Sequence, residues 1–193
     1  MKTEITGHFD LAFNKTMEIE GKNQLTNDRL DPGGQTYSGI SRVYWPEWEG
    51  WPIIDTWLAD KSKPFPIEVL EPMVRKFFRI NFWNRIQGDR LAELAPLVAY
   101  ELFDSAVNVD VTRAVTWLQH GFNVARGEYG EDLVVDGRLG PKTISALNIY
   151  LASKPGSHDL NEEILVNCMN GEQYIFYRAN PRHKYFRGWF RRV

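Results

Sequence analysis

Apolar side chains recur at intervals of three, four or seven residues along most of this 193-residue chain. Phe9, Phe13 and Met17, for example, follow one another at steps of four, which places them on one face of an α-helix. The same spacing predicts helices at residues 9–20, 66–85, 94–108 and 111–122, from 141 to about 152, and from 159 onwards. A mainly α fold follows, in which each helix buries one face against its neighbours.

Two segments depart from the helical pattern. Residues 22–41 are rich in Asn, Asp, Gly, Thr and Ser, which favours turns and predicts a short β-hairpin or loop region after the first helix. Val134 and Val135, followed by Asp136 and Gly137, predict a short strand that runs into a turn.

Particular residues mark where helices stop or start. Pro72 predicts a stop or kink in helix 66–85, because proline removes a helical hydrogen bond. Asp159 and Glu162, three residues apart, are typical of a capping box that opens the last helix. Its buried side is expected to carry Leu160, Ile164, Leu165, Cys168 and Ile175.

Composition excludes several kinds of site. Cys168 is the only cysteine, so neither an intramolecular disulfide nor a cysteine-based zinc site can form. The four histidines are scattered without metal-ligand spacing. We therefore expect no metal and no cofactor, and a monomer.

Charge and hydropathy bear on partners and location. A formal net charge of -2 gives no general attraction to nucleic acid or to an anionic membrane, and we expect neither partner. No stretch approaches the roughly 20 apolar residues of a membrane span, so we expect no membrane insertion. Residues 1–10 lack a signal-peptide pattern. We expect synthesis in the cytoplasm.

The tail 178–193 combines six Lys or Arg residues with four aromatic side chains and no acidic residue. Such a mixture suits single-stranded nucleic acid. We expect instead that the aromatic side chains anchor the tail to the body of the protein, with the basic groups in solvent or facing an anionic surface.

Glu20 is the carboxylate in the most unusual setting. It closes the apolar stripe of the first helix, and Gly21 directly after it is a natural helix stop. Desolvation and the negative end of the helix dipole both disfavour its ionised form. A carboxylic acid that stays protonated near neutral pH is what glycoside cleavage requires. The alternative is an ordinary surface Glu on a slightly rotated helix.

A second carboxylate is available in the polar segment that follows. Asp28 and Asp31 are the candidates, and Asp31 heads an Asp-Pro-Gly-Gly turn that would hold its side chain in place. Inverting glycosidases keep their two carboxyl groups roughly 6.5 to 9.5 Å apart, which leaves room for a water. The alternative is that Asp31 only caps its own turn.

These residues carry a resemblance to a family. Glu20 and Gly21, followed by DPGGQTYSGIS at 31–41, resemble the signature of the glycoside hydrolase family 108 muramidases, found in phage endolysins and in proteins described as secretion activators. Later segments resemble further motifs of that family: FDSAVN at 103–108, LQ at 118–119, VDGRLGPKT at 135–143 and FRGW at 186–189. They span nearly the whole chain in the expected order.

The resemblance implies a lysozyme-like catalytic region at residues 1–108 and a helical peptidoglycan-binding-like region at 109–193, packed together as one compact unit. Glu20 matches the family's catalytic acid. Lys22 stands where a second Gly is usual and Asn23 where an aromatic residue is usual, so the cleft beside the acid is expected to differ.

The segment 136–148 is similar to the family's peptidoglycan-binding region. Its candidate binding residues are Asp136, Gly137, Gly140 and Thr143. The alternative reading is a turn and a helix that pack on the body of the protein.

The functional hypothesis is hydrolysis of the β-1,4 bond between N-acetylmuramic acid and N-acetylglucosamine in peptidoglycan glycan strands. Glu20 would be the general acid, and Asp31 would activate or position water or stabilise the oxocarbenium-like transition state. The candidate substrate-binding residues are Thr36 and Tyr37, which would orient groups in the cleft, Tyr37 and Trp45, which would stack on sugar rings, and Asn108, which would contact an N-acetyl group.

Two rival functions stay open. A lytic transglycosylase uses one Glu as acid and then as base, so it needs no second carboxylate. A noncatalytic cell-wall-binding or secretion-assisting protein would result if Lys22 and Asn23 closed the cleft. Each of the three acts in the periplasm or cell wall of bacteria, which the protein is expected to reach through a holin or a secretion system.

Overall fold

A computed structural model describes residues 7–27, 34–128, 130–153 and 158–180, with only the backbone of Glu20. Within these residues the chain forms eight α-helices and one small antiparallel sheet, so the predicted mainly α, lysozyme-like fold class is confirmed. The chain divides into two compact units, Met1–Asn81 and Phe82–Val193. In the described residues no helix is long and apolar enough to cross a membrane.

The first unit is built around a helix that precedes a small sheet. Its elements are α1 His8–Glu20, β1 Leu25–Asn27, β2 Gln35–Tyr37, β3 Ile40–Ser41, α2 Trp51–Ala59 and α3 Ile67–Phe78. The stripe of Phe9, Phe13 and Met17 is buried as predicted. The ring of Phe13 lies 5.7 Å from that of Phe78 in an edge-on contact, so α1 packs on α3.

Gly21 ends α1 in the predicted way. Its φ of +82° lies in the left-handed region, where glycine has no Cβ penalty. The N–H groups of Gly21 and Lys22 donate to the carbonyl of Met17 at 3.2 and 3.1 Å, which is the pattern of a Schellman cap. Glu20 is therefore the last helical residue of α1.

The predicted hairpin after α1 is confirmed as part of a three-stranded antiparallel sheet in the order β1-β2-β3. Tyr37 lies opposite Leu25 on one side and Ile40 on the other. Tyr37 and Ile40 are both fully buried, so this face of the sheet belongs to the core. Asp28 and Asp31 lie outside the described residues.

Helix α3 passes through Pro72, so the helix does not stop at this residue; of the two predicted outcomes, the stop is wrong and the kink stays a prediction. Proline removes the hydrogen bond to the carbonyl of Glu68, but both residues are exposed and water can satisfy that carbonyl. The α-helix gives way later, to a π-helical turn at Arg79–Trp83 and a 3₁₀ turn at Asn84–Ile86. The side-chain amide of Asn81, in the π-helical turn, donates to the carbonyl of Phe77 in the last turn of α3 at 2.9 Å.

The second unit is helical. It contains α4 Gly88–Leu94, α5 Pro96–Asn108, α6 Val111–Ala125, α7 Pro141–Ser153 and α8 His158–Ala179. Helix α6 packs against both α5 and α8. A Cβ on Gly121 would lie 3.1 Å from Cβ of Cys168, so α6 and α8 approach closely where a side chain is absent.

The predicted strand at Val134 and Val135 is wrong. These residues form no strand, and the carbonyl of Val134 accepts instead from the N–H of Asp136 at 3.0 Å, in a tight turn. Val134 is 78% exposed. Two β-branched residues favour extended backbone, but a strand also needs a partner strand, and none pairs with them among the described residues.

Glu162 does not form the predicted capping box, because it caps a different helix. It is buried, and its Oε1 accepts from the N–H groups of Leu97 and Val98 at 2.5 and 3.1 Å, in the first turn of α5. Pro96 precedes them and has no N–H to satisfy. Asp159 lies inside α8, whose first residue is His158.

The predicted buried side of α8 is wrong at both ends. Leu160 and Ile175 are each 53% exposed. Leu165 is buried as predicted, while Ile164 and Cys168 are half-buried. The buried positions of α8 include polar as well as apolar side chains. They are Asn161, Glu162, Leu165, Met169, Gln173 and Tyr177.

Replacing Glu162 tests the cap. Glu162→Ala leaves two buried N–H groups without an acceptor and should lower the free energy of unfolding by about 1–3 kcal/mol. Glu163→Ala, on the exposed face of the same turn, should change it by less than about 0.5 kcal/mol. Urea unfolding followed by circular dichroism measures both, and equal losses would contradict the cap.

The same residue gives a pH dependence. Burial raises the pKa of Glu162 above its ordinary 4.5. This effect is larger than that of the two N–H hydrogen bonds, which lower the pKa. The folded state then binds the proton more tightly than the unfolded state. The free energy of unfolding of the wild type, relative to that of Glu162→Gln, should therefore fall as the pH rises above 4.5. A difference that stays constant from pH 4 to 7 would contradict this.

Candidate functional site

Glu20 lies at the C-terminal end of α1, directly before the sheet of the first unit. The three apolar residues that precede it on the same stripe are buried, so the stripe faces the core as predicted. The side chain of Glu20 lies outside the described part of the structure. Its role as the acid stays a prediction.

The two departures from the family motif are held by specific contacts. Lys22 Nζ lies 2.9 Å from Glu71 Oε1 in a half-exposed ion pair. Asn23 has a φ of +58°, and its N–H donates to Ser38 Oγ at 2.8 Å. Its Oδ1 accepts from the hydroxyl of Tyr37 at 3.4 Å. Asn tolerates the left-handed conformation better than an aromatic residue does, so this backbone favours Asn23.

Glu71 was not among the residues that the sequence singled out. It lies on α3, far along the chain from Lys22, and an ion pair between separate elements leaves no local signal. The pair places a positive charge two residues after Glu20 in the chain and joins it to the negative charge of Glu71 on α3.

Tyr37 lies in the core rather than at a surface. It is 0% exposed, and its ring stacks on Trp48 at 6.0 Å and lies 5.5 Å from Phe65. Burial raises the pKa of its hydroxyl. A sugar contact by Tyr37 stays a prediction, and it would require the ring to be uncovered. Thr36, beside it on β2, is half-buried and its hydroxyl donates to the carbonyl of Gly34 at 3.4 Å.

Trp45 lines a surface pocket of about 420 Å³ in the first unit. Its ring is half-buried and meets that of Phe77 edge-on at 4.8 Å. The sequence did not single out the remaining lining residues, which come from the loop before α2 and from α3 and the turn that follows. They are Tyr44, Pro46, Glu47, Trp48, Glu49, Met73, Lys76, Phe77, Ile80 and Asn81.

Asn108 belongs to the second unit, whereas Thr36, Tyr37 and Trp45 belong to the first. Its Oδ1 accepts from the hydroxyl of Tyr177 at 2.6 Å. Asn108 also lines a pocket of about 330 Å³ at the end of α5. Its predicted contact with an N-acetyl group stays a prediction.

The predicted peptidoglycan-binding segment is held to α6 by one buried amide. Gln119 Nε2 donates to Asp136 Oδ1 at 2.9 Å, and Gln119 Oε1 accepts from the N–H of Gly137, also at 2.9 Å. The N–H of Arg138 adds a bond of 2.9 Å to the same Asp136 oxygen. These bonds hold the pKa of Asp136 below its ordinary value.

The other two residues of that segment differ in exposure. Thr143 is buried in the first turn of α7, and its hydroxyl donates to the carbonyl of Arg138 at 3.5 Å. Gly140 is half-buried, and a Cβ there would meet nothing within 4 Å. Asp136, Gly137 and Thr143 therefore shape the loop, and binding by any of the four residues stays a prediction.

Two family models match the chain in succession. The model for glycosyl hydrolase 108 matches residues 13–109, and one described as "Predicted Peptidoglycan domain" matches residues 113–193. The first match alone covers half of the chain. This protein belongs to the glycosyl hydrolase 108 family. The resemblance drawn from the sequence is confirmed, and the two matches together give the chain a function related to peptidoglycan.

A solved structure of SagA from Brucella abortus is similar to this glycosyl hydrolase 108 protein. The TM-score is 0.63 with 22% sequence identity, over 95% of this chain and 88% of the SagA chain. At this identity the likeness concerns the fold. No curated protein sequence gives a significant match.

The family models and the compact units divide the chain at different places. The two matches meet between residues 109 and 113, whereas the units meet between Asn81 and Phe82. The compact units are defined by packing, whereas the predicted division is defined by function. The division into residues 1–108 and 109–193 stays a prediction.

Two glycines of the peptidoglycan-domain match provide a matched pair of variants. Gly137 has a φ of +68°, and a Cβ there would lie 2.6 Å from Thr112 Cγ2 and 2.9 Å from the Thr112 carbonyl. Gly137→Ala should therefore cost at least about 2 kcal/mol of stability. Gly140→Ala should stay within about 0.5 kcal/mol of the wild type. Urea unfolding compares them, and equal losses would contradict the shaping role of Gly137.

Proposed function

We propose that this glycosyl hydrolase 108 protein is an N-acetylmuramidase that hydrolyses the β-1,4 bond between N-acetylmuramic acid and N-acetylglucosamine. The observation that carries the proposal is the succession of a glycosyl hydrolase match and a peptidoglycan-domain match in one chain. A hydrolase family match beside a peptidoglycan-domain match supports the glycan strand as the substrate. The protein would act in the periplasm or cell wall, after export through a holin or a secretion system.

Glu20 is proposed as the general acid. Its position as the last residue of α1 exposes it to the negative end of the helix dipole, which favours the protonated carboxyl. The protonated group would donate its proton to the glycosidic oxygen as the bond to the anomeric carbon breaks. Gly21 fixes the helix end, so the backbone at Glu20 has a defined direction relative to the sheet that follows.

Asp31 is proposed as the second carboxylate. It belongs to the connection between Asn27 and Gln35, which face each other as the last pair of β1 and β2. In an inverting reaction Asp31 would take a proton from the water that attacks the anomeric carbon, on the side of the sugar opposite Glu20.

A noncatalytic wall-binding function is supported by the ion pair between Lys22 and Glu71. Lys22 stands at the position where the family motif has a second glycine. It predicts that the protein binds sacculi without releasing soluble fragments. A lytic transglycosylase would release fragments with 1,6-anhydro ends. Mass spectrometry of a peptidoglycan digest distinguishes these from the reducing muramic acid ends that we expect.

Substitution of Glu20 tests the acid. Glu20→Gln should keep the fold and sacculus binding, but lower the rate of fragment release by about 10²- to 10⁴-fold, the usual contribution of general acid catalysis. Glu18→Gln, on an exposed position of the same helix, should leave the rate close to that of the wild type. Near-normal release by Glu20→Gln would remove Glu20 from the mechanism.

Substitution of Asp31 separates catalysis from turn capping. If Asp31 activates water, Asp31→Asn should lose most turnover with little change in thermal stability. If it caps a turn, stability should fall by about 1 kcal/mol while turnover per folded molecule stays near normal. Measuring both on one preparation decides between the two, and the second pattern would favour the single-carboxylate transglycosylase reaction.

A further inference from the structure

The turn between β2 and β3 has a backbone conformation that its first residue does not favour. Ser38 and Gly39 join Tyr37 to Ile40, and their φ angles are +46° and +80°. Positive φ at both central residues is typical of a type I′ turn, whose first central position favours Asn, Asp or Gly. A serine there is strained, because its Cβ crowds the backbone in the left-handed region. The turn by itself therefore does not account for the serine.

The side chain of Ser38 bonds to the segment that follows α1. Ser38 is 1% exposed, and its Oγ accepts from the N–H of Asn23 at 2.8 Å. The N–H of Ser38 donates to the carbonyl of Gln24 at 3.0 Å. These two hydrogen bonds, which we call the Ser38 clamp, join the turn of the sheet to residues 23 and 24.

Asn23 is strained in the same way as its partner in the clamp. Three non-glycine residues have a positive φ within the described ranges: Asn23, Ser38 and Gln87. Two of the three are therefore bonded to each other. Strained backbone persists where the surrounding contacts over-determine it, and it clusters at functional sites. Here the contacts are the clamp and the hydroxyl of Tyr37, which donates to Asn23 Oδ1 at 3.4 Å.

Along the chain, the clamp lies between the two segments that carry the proposed carboxylates. Glu20 ends α1, and the turn that follows is closed by the N–H of Gln24, which donates to the carbonyl of Gly21 at 3.2 Å. On the other side, β1 begins at Leu25 and leads to the connection that contains Asp31. The separation between the backbone of Glu20 and the sheet therefore depends on how firmly residues 23 and 24 are held.

We propose that Ser38 is a positioning residue for Glu20. Its hydroxyl holds the backbone after α1 against the sheet, so that the acid keeps one position relative to β1 and the connection that follows. The inference rests on the proposed function, in which Glu20 is the acid. A displacement of about 1 Å in a reacting group can lower a rate by about 10²-fold. Since Ser38 acts through Glu20 and not on the substrate, its loss should change kcat and leave KM nearly constant.

Ser38→Gly and Ser38→Ala separate the clamp from the strain. Both remove the hydroxyl, but glycine also relieves the strain at a φ of +46°, whereas alanine keeps it. Ser38→Ala should therefore unfold at a lower temperature than Ser38→Gly. Both should lower kcat on solubilised glycan strands by about 10-fold to 100-fold, with KM changed by less than about twofold. Wild-type kcat per folded molecule in Ser38→Gly would overturn the proposal.

Thr26→Val is the matched control. The hydroxyl of Thr26 donates to the carbonyl of Thr36 at 3.5 Å, so this variant also removes one side-chain hydrogen bond from the same sheet. Its kcat and KM should stay close to those of the wild type. An equal loss of kcat in Thr26→Val and Ser38→Gly would mean that any weakening of the sheet lowers the rate, which would overturn the specific role of Ser38.

Nuclear magnetic resonance provides a readout that does not need turnover. In Ser38→Gly the backbone amide hydrogen of Asn23 should exchange with solvent at least about tenfold faster, and the side-chain signals of Glu20 should shift. Thr26→Val should show neither change. Failure of the wild type to release fragments would refute the muramidase function, but these changes would still support the positioning of Glu20 by Ser38. Unchanged Glu20 signals in Ser38→Gly would overturn the proposal at any level of activity.

Discussion

Trp48 contacts aromatic side chains from three parts of the first unit: Tyr37 on the sheet, Trp51 on α2 and Phe77 on α3. The rings can pack in this way because the residue next to the indole, Gly50, has no side chain. A Cβ on Gly50 would lie 2.3 Å from Cη2 of Trp48, so only glycine fits there. The indole of Trp48 stacks on the ring from the sheet and meets the rings from the two helices edge-on, which are the preferred geometries of aromatic pairs, so this one side chain sets the spacing between sheet and helices. The pocket beside Trp45 and the sheet that follows α1 are therefore positioned by the same cluster.

The elements that could be predicted from the sequence are those whose cause is local. Helix α1 follows from a stripe of apolar residues and a glycine stop, and both signals lie within its own segment. Pro72 shows the limit of such reasoning, because tertiary packing of α3 retains a helix across a residue that disfavours it. Val134 and Val135 show the reverse case, since a strand depends on a partner that the local sequence does not specify.

The same distinction between local and distant causes applies to the candidate site. The position of Glu20 at a helix end could be predicted, because it depends on residues within one turn. The ion pair of Lys22 with Glu71 and the burial of Tyr37 could not, because each depends on α3 or on the loop that carries Trp48. A strand of three residues is also too short for alternation to reveal which face is inside. The roles of Asp136 and Gly137 could not be predicted either, since the amide of Gln119 that bonds to them lies on another element, α6.

Glu162 connects two helices that are far apart in the order of synthesis. The first turn of α5 is complete only when a carboxylate from α8 reaches the N–H groups of Leu97 and Val98. A chain that emerges from the ribosome with its N-terminus first therefore presents α5 with an unfinished end until α8 has also been made. Formation of the second unit then depends on contacts between distant residues, which slows folding relative to a bundle of locally paired helices. The helical unit would thus become stable only after α8 has left the exit tunnel.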